Sequence, residues 1–313
     1  MVDANPGERI IDNVARVIVG KDRTIELLLV GLLADGHVLL EDVPGVAKTL
    51  LAKSLAKSIH GKFGRVQFTP DLLPADVTGF NVYDQQNNRF SFHPGPVISN
   101  VLLADEINRT IPRTQSSLLE CMQERQVTVD GHTHALPLPF FVMATQNPIE
   151  MEATFPLPEA QLDRFVLKTS LGYPHREEEI RILERFQESD PFESLEPVAS
   201  LEEIIALQNA RGKIRVAQPV REYIADIVRA TRQGSAIQYG ASPRASLALM
   251  RAGQALALLR GRQYVLPDDI KYLAPPVLAH RLVLTPEARL RDATADDLVK
   301  ERVHGIPVPV QAD

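Results

Sequence analysis

The feature that most constrains this 313-residue chain is a loop, Glu41-Asp42-Val43-Pro44-Gly45-Val46-Ala47-Lys48-Thr49. It lies between a short apolar run at His37 to Leu40 and a helical pattern from about Lys48 to Ile59. A strand that leaves through such a loop and re-enters as a helix aims backbone N–H groups and a helix N-terminus at one point, which is how phosphate is held. In this reading Pro44, Gly45, Val46, Ala47 and Leu50 bind the nucleotide together with Lys48 and Thr49. Lys48 reaches the β- and γ-phosphates, and the Thr49 hydroxyl ligates Mg2+. Asp42 and Ala47 stand where the pattern G-x-x-x-x-G-K-[ST] has glycines. Alanine is compatible there if the residue already has helical dihedrals, although its methyl could crowd the phosphates. The competing reading is a turn followed by a surface lysine.

Asn100-Val101-Leu102-Leu103-Ala104-Asp105-Glu106 narrows the choice, because it is an apolar strand ending in two carboxylates. Ligands of parallel α/β sheets bind at the carboxyl ends of the strands. Asp105 is expected in the Mg2+ shell and Glu106 as the base that activates water for phosphoryl hydrolysis. The alternative is that both carboxylates cap the helix that follows. Phe140 to Thr145 is another apolar strand, followed by Gln146-Asn147-Pro148; Asn147 could orient the attacking water, or simply open a turn. Arg164 precedes a fifth strand at Phe165 to Thr169. An arginine offered to a neighbour's phosphate is worth roughly 10³–10⁵ in rate, and its competing reading is an ion pair with Asp163 or Glu159. Gly240-Ala241-Ser242-Pro243-Arg244 opens a helix with Ser242 as N-cap, and Arg244 could reach a γ-phosphate or lie on the helix surface.

Around these motifs the first 170 or so residues alternate helical patterns with short apolar runs, the mark of an α/β unit with a mostly parallel sheet. Helices are expected at Ile10 to Val17, Ile25 to Ala34 and Pro112 to Gln126, and a second strand at Gly64 to Phe68. Two hairpins are expected, Phe80 to Phe92 turning at Gln85 to Asn88, and Gln126 to Leu138 turning at Asp130-Gly131. A boundary near Gly172-Tyr173-Pro174 separates a domain at 1–173 from one at 174–313. The second reads as helices at Glu177 to Phe186 and about 200–210, 219–232, 244–261 and 267–278, with an irregular tail after Glu301.

Composition excludes several classes. The net charge of −6 argues against nucleic acid as a partner, and no apolar stretch reaches the roughly 18 residues of a membrane helix. With a single cysteine, Cys121, no intrachain disulfide forms, which fits a reducing cytoplasm. Cys121 shares a helical stripe with Leu118, Leu119 and Met122 and reads as core.

Taken in order, these motifs resemble the MoxR-type AAA+ ATPases. The likeness runs over about residues 10–280 and is most specific at Leu40 to Thr49, at Gly95-Pro96 with Asn100 to Arg109, at Ala144 to Glu150 and at Pro156 to Phe165. The resemblance implies an AAA+ P-loop domain with a mostly parallel five-stranded sheet and a small all-helical lid. It implies assembly as a ring, usually a hexamer, that binds ATP and Mg2+. It gives Lys48 and Thr49 Walker A roles, Asp105 and Glu106 Walker B roles, and Asn147 the sensor 1 position. Arg164 resembles the arginine finger, with Arg109 and Arg113 as alternatives, and Arg244 resembles sensor 2. Val19 and Gly20 sit where the family contacts adenine, and the hairpins where related machines touch substrate. The activity so implied is an ATP-driven, chaperone-like motor that matures a separate client, such as a protein with a von Willebrand factor A domain or one awaiting a metal cofactor. A nucleotide-gated scaffold with weak hydrolysis is the alternative, favoured by Ala47. A nucleic-acid motor ranks below both, since neither hairpin tip carries Lys or Arg.

Overall fold

The computed structural model describes residues 5–85, 88–148 and 154–309. Along the chain run α1 (Pro6–Ala15), α2 (Asp22–Leu33), β1 (Val38–Glu41), α3 (Lys48–Ser58), β2 (Phe63–Gln67), α4 (Pro74–Thr78), β3 (Gly79–Asp84) and β4 (Arg89–Pro94). Then come β5 (Val101–Asp105), α5 (Pro112–Glu124), β6 (Gln126–Val129), β7 (His132–Ala135), β8 (Phe141–Gln146), α6 (Glu159–Leu162), β9 (Leu167–Thr169), α7 (Arg176–Phe186) and α8 (Leu201–Arg211). The remainder is α9 (Gln218–Ala230), β10 (Ile237–Tyr239), α10 (Pro243–Leu259), α11 (Pro267–Leu278), β11 (Val283–Leu284), α12 (Pro286–Arg289) and α13 (Ala295–Gly305).

Five strands form one sheet in the order β2-β5-β8-β1-β9, and the β2–β5, β5–β8 and β8–β1 pairings are parallel. Val38 to Leu40, Val101 to Ala104 and Phe141 to Ala144 are all buried. Parallel strands covered on both faces need such unbroken apolar runs. The register sets Gln67 opposite Asp105, and Glu41 opposite Gln146. The residues that terminate β2, β5, β8 and β1 are thereby brought to one edge of the sheet.

Local chemistry explains the boundaries. The Asn5 side chain caps α1 by accepting from the Gly7 N–H at 3.1 Å, and Pro6 occupies the first turn, so this helix starts ahead of the expected Ile10. α5 ends at Glu124 because Arg125 turns left-handed at φ 55°, which releases Gln126 into β6 instead of keeping it helical. In the β6–β7 hairpin Asp130 and Gly131 both have positive φ, as the tight turn requires. The β3–β4 hairpin runs from Gly79 paired with Pro94 to Asp84 paired with Arg89. The expected tip residues Gln86-Asn87 lie outside the described residues, as does the Ile149-Glu150 end of the motif stretch.

The chain divides into two compact units, residues 1–26, 37–157 and 170–205 in one and 27–36, 158–169 and 206–313 in the other. In the second, α10 packs on α9 and α11, and α11 packs on α13. Its tail differs from expectation, since α13 is helical to Gly305. Thr294 caps this helix by accepting from the Asp297 N–H at 3.1 Å, and Val299 and Val303 are buried. Asp269, 1% exposed, takes a forked pair of hydrogen bonds from Arg262 at 2.6 and 2.8 Å, which neutralises a carboxylate inside this unit. Cys121 is buried as expected, and burial pushes its thiol up to about 12, so it is inert.

Candidate active site

The phosphate loop takes its shape from two left-handed residues, Gly45 at φ 84° and Ala47 at φ 63°, ψ 24°. Ala47 therefore does not meet the condition of helical dihedrals under which alanine fits here without strain, and adopts the conformation that glycine takes more easily, at a cost of roughly 1–2 kcal/mol. α3 begins at the next residue, Lys48, and no side chain caps it. Its first-turn N–H groups have no partners inside the helix and form an anion-seeking end. Pro44, Gly45 and Ala47 are exposed, Val46 is buried, and Lys48, Thr49 and Leu50 are half-buried. Nothing approaches within 4 Å of the place where a Cβ of Gly45 would stand, so the cradle is open on that side. The Lys48 ammonium donates to the carbonyls of Asp42 (3.1 Å) and Val43 (3.2 Å) and is thus held beside the loop it is expected to serve.

Asp42, at the first expected glycine, is 5% exposed. Its oxygens accept the Leu171 N–H at 2.6 Å and the Gly172 N–H at 2.9 Å.

At the end of β5, Asp105 accepts from the Thr145 hydroxyl at 2.7 Å and from Arg65 at 2.9 Å. The Thr145 hydroxyl also accepts the Glu106 N–H at 2.8 Å, so one side chain from β8 orients both acidic residues. Glu106 is left-handed at φ 57°, which swings its side chain off the strand line. Its Oε2 accepts from Gln67 at 2.8 Å and from Arg109 at 3.0 Å. Neither carboxylate caps a following helix, because the turn after Glu106 has no side-chain cap. Asn147 is 5% exposed, just past the end of β8. The parallel register sets Ala104 opposite Ala144, so Thr145 falls level with Asp105 and Asn147 lies two residues further along the chain.

Val19 is buried and Gly20 has φ 71°; Lys21 beyond them donates to the Tyr173 carbonyl at 3.1 Å. Arg164 and Arg244 belong to the other compact unit. There Asp163 pairs with buried Arg281 at 2.7 Å and lies 3.9 Å from the largely exposed Arg244 guanidinium. Asp163 is thus engaged by these two arginines, and among the described residues Arg164 has no ion pair with it. Ser242 precedes α10 as expected, but its side chain makes no capping bond.

Sequence reasoning missed Arg65, Gln67 and Thr145. Arg65 and Gln67 stand two apart on β2 and therefore share a face, and that spacing at the carboxyl end of a strand was the available signal. Thr145 was placed in its strand but not read as a hydrogen-bonding hub.

Comparison with known proteins follows the same lines. The profile of the ATPase family associated with various cellular activities matches residues 37–167, and an AAA lid domain profile matches 229–302. Chaperone MoxR1 of Mycobacterium tuberculosis is 48% identical over 305 residues, covering 95% of this chain and 80% of that protein. The chain belongs to the MoxR-type AAA+ ATPases. The MoxR-type chain is also 54% identical over 301 residues to the uncharacterised protein YeaC of Bacillus subtilis, covering 96% of this chain and 94% of that one. A crystal structure of a candidate ATPase from Cytophaga hutchinsonii has the same fold, with a TM-score of 0.92 at 41% identity, covering 98% of this chain and 96% of that one. The MoxR-type architecture of α/β nucleotide-binding domain and lid is therefore shared over nearly the whole length.

Proposed function

We propose that this MoxR-type protein hydrolyses ATP with Mg2+ in a ring of identical subunits, a hexamer, and uses the cycle to remodel a separate client protein. The observation that carries the proposal is the alignment, at one sheet edge, of an uncapped helix N-terminus behind β1 and the Asp105–Glu106 pair behind β5, both joined to β8. In this reading the Gly45 to Leu50 backbone holds phosphate oxygens and Lys48 exchanges its carbonyl partners for them. Mg2+, held through Thr49 and Asp105, supplies charge neutralisation at the phosphates. Glu106 polarises the attacking water once its carboxylate leaves Gln67 and Arg109, and Asn147 orients that water. Val19 and Gly20 contact the adenine. Arg164 of a neighbouring subunit neutralises developing charge, with Arg109 and Arg113 as rivals for that role, and Arg244 senses the γ-phosphate. The functional boundary lies at 173/174, dividing nucleotide domain from lid. The single buried cysteine fits a cytoplasmic location, and among the described residues no helix is long and apolar enough to cross a membrane. Clients with von Willebrand factor A domains, or awaiting metal insertion, are the first to test.

A scaffold that binds ATP and scarcely turns it over is the second reading, favoured by two observations: the strained Ala47 and the engaged Glu106. The test is phosphate release against protein concentration in MgATP, with particle size followed in the same samples. Specific activity that rises with concentration as rings form supports the shared-site motor. Nucleotide binding with no turnover at any concentration supports the scaffold.

A further inference from the structure

Residues 170–186, which lead from the sheet through α7, are tied at several points to both segments expected to hold nucleotide. Thr24 donates to the Ser170 carbonyl at 2.9 Å, and Lys21 donates to the Tyr173 carbonyl at 3.1 Å. Lys21 also lies 3.6 Å from the Glu178 carboxylate, which packs so closely on Gly20 that a Cβ there would come within 1.9 Å of it. Arg185 donates to the carbonyls of Ala15 and Arg16 at 2.8 and 2.6 Å. The strongest tie is Asp42, whose two oxygens take the Leu171 and Gly172 N–H groups while its own carbonyl takes the Lys48 ammonium. Its N–H donates to the Gln146 carbonyl at 3.2 Å, so this residue links the phosphate loop, the end of β8 and the 170–186 strap.

We infer that the Asp42 carboxylate is a positioning group that couples phosphate contact at Lys48 to the 170–186 strap; this rests on the nucleotide reading above. A phosphate competes with the Asp42 and Val43 carbonyls for the same ammonium, and releasing them lets the loop backbone shift. Asp42 cannot shift without pulling on the amides of Leu171 and Gly172, because a carboxylate oxygen holds each of them. Asparagine at this place keeps one acceptor and turns an NH2 group toward the second N–H, which breaks one of the two links.

The experiment is amide hydrogen exchange of the full chain with and without MgADP, at nucleotide concentrations saturating for each variant, with nucleotide binding measured in parallel. In the wild type, nucleotide slows exchange across 44–50 and, by about fivefold, across 170–186, the low end of ordinary coupling between sites. In Asp42→Asn the slowing at 44–50 persists and that at 170–186 falls below about twofold. A role in stability alone would shift the baseline exchange of the variant and leave the nucleotide-induced difference intact. A wild-type strap that ignores bound nucleotide, or a variant strap that responds fully, overturns the coupling. If the variant does not fold, the Leu171 and Gly172 amide resonances of the wild type decide: shifts on adding MgADP support the coupling, and unmoved signals overturn it. Absence of nucleotide binding by the wild type is a separate result, which removes the ATP reading and the coupling with it.

Discussion

Two aspartates stand just behind the loop end of one sheet and do opposite things. Asp42 follows β1 and Asp105 ends β5; both are nearly buried, at 5% and 9% exposure. Asp42 spends both oxygens on backbone N–H groups, so it stays bound to the segment that carries them. Asp105 faces side chains, the Thr145 hydroxyl and the half-exposed Arg65 guanidinium, which can change partners. A carboxylate tied to backbone is part of the scaffold, while one tied to exchangeable side chains is available for chemistry. The same contrast separates Lys48, held by carbonyls that a phosphate can replace, from Arg281, buried at 3% side-chain exposure against Asp163.

The largest effect that could break this comparison belongs to Lys48. Replacing it with Met removes the only ammonium expected at the phosphates, and kcat/KM for ATP should fall by about 10³ with the fold unchanged, as steady-state kinetics and circular dichroism would show. The next prediction sets the aspartates side by side. Asp105→Asn should lower turnover by about 10–100-fold, shift the Mg2+ requirement upward and leave urea stability within about 0.5 kcal/mol. Asp42→Asn should instead cost about 2–3 kcal/mol of stability, because a buried N–H loses its acceptor. Equal stability losses for the two would dissolve the distinction drawn here.

A smaller effect bounds the pH range of such measurements. His37 accepts the Val142 N–H on Nδ1, so its Nε2 donates to the Met122 carbonyl, and burial lowers its pKa to about 3. It stays neutral in the fold while the unfolded chain protonates it below about 6.5, so the unfolded state binds the extra proton between those values. Stability is therefore complete above about 6.5 and falls as pH drops, by up to about 1.4 kcal/mol per unit from this residue. His280, also held well below its usual value by burial, adds to the slope. Urea titrations between pH 7.5 and 5 measure it, and a flat profile would contradict the neutral buried pair. The smallest prediction concerns Ala47. Glycine there relieves the left-handed strain and gives back part of the gain as chain entropy, so Ala47→Gly should stabilise by about 0.5–1 kcal/mol in the same urea assay.

These contrasts mark where the sequence was legible. β5 and β8 were readable because fully covered parallel strands must be apolar throughout, and the Asp105–Glu106 end was readable because carboxylates break such a run. The hairpin at Asp130-Gly131 was readable because few residue pairs satisfy its turn. The dihedrals of Ala47 stayed open in the sequence, because they are set by the whole loop and alanine does not announce a positive φ. Asp42 could be seen to break a motif, but its partners lie about 130 positions away and no local pattern points to them. Arg65 and Gln67 offered only their shared face at a strand end, and that face gains meaning only when the register sets Gln67 opposite Asp105. α13 was missed as a whole because Val299 and Val303 are a single stripe inside a strongly charged segment.

In the proposed mechanism Glu106 is the residue that turns binding into hydrolysis. The direct test compares wild type and Glu106→Gln in the same MgATP solutions, with nucleotide binding and phosphate release read together. Both proteins should bind nucleotide, and phosphate release should be slowed at least about a hundredfold in the variant. Equal release by the two proteins would contradict that mechanism and leave the chain as a nucleotide-responsive scaffold.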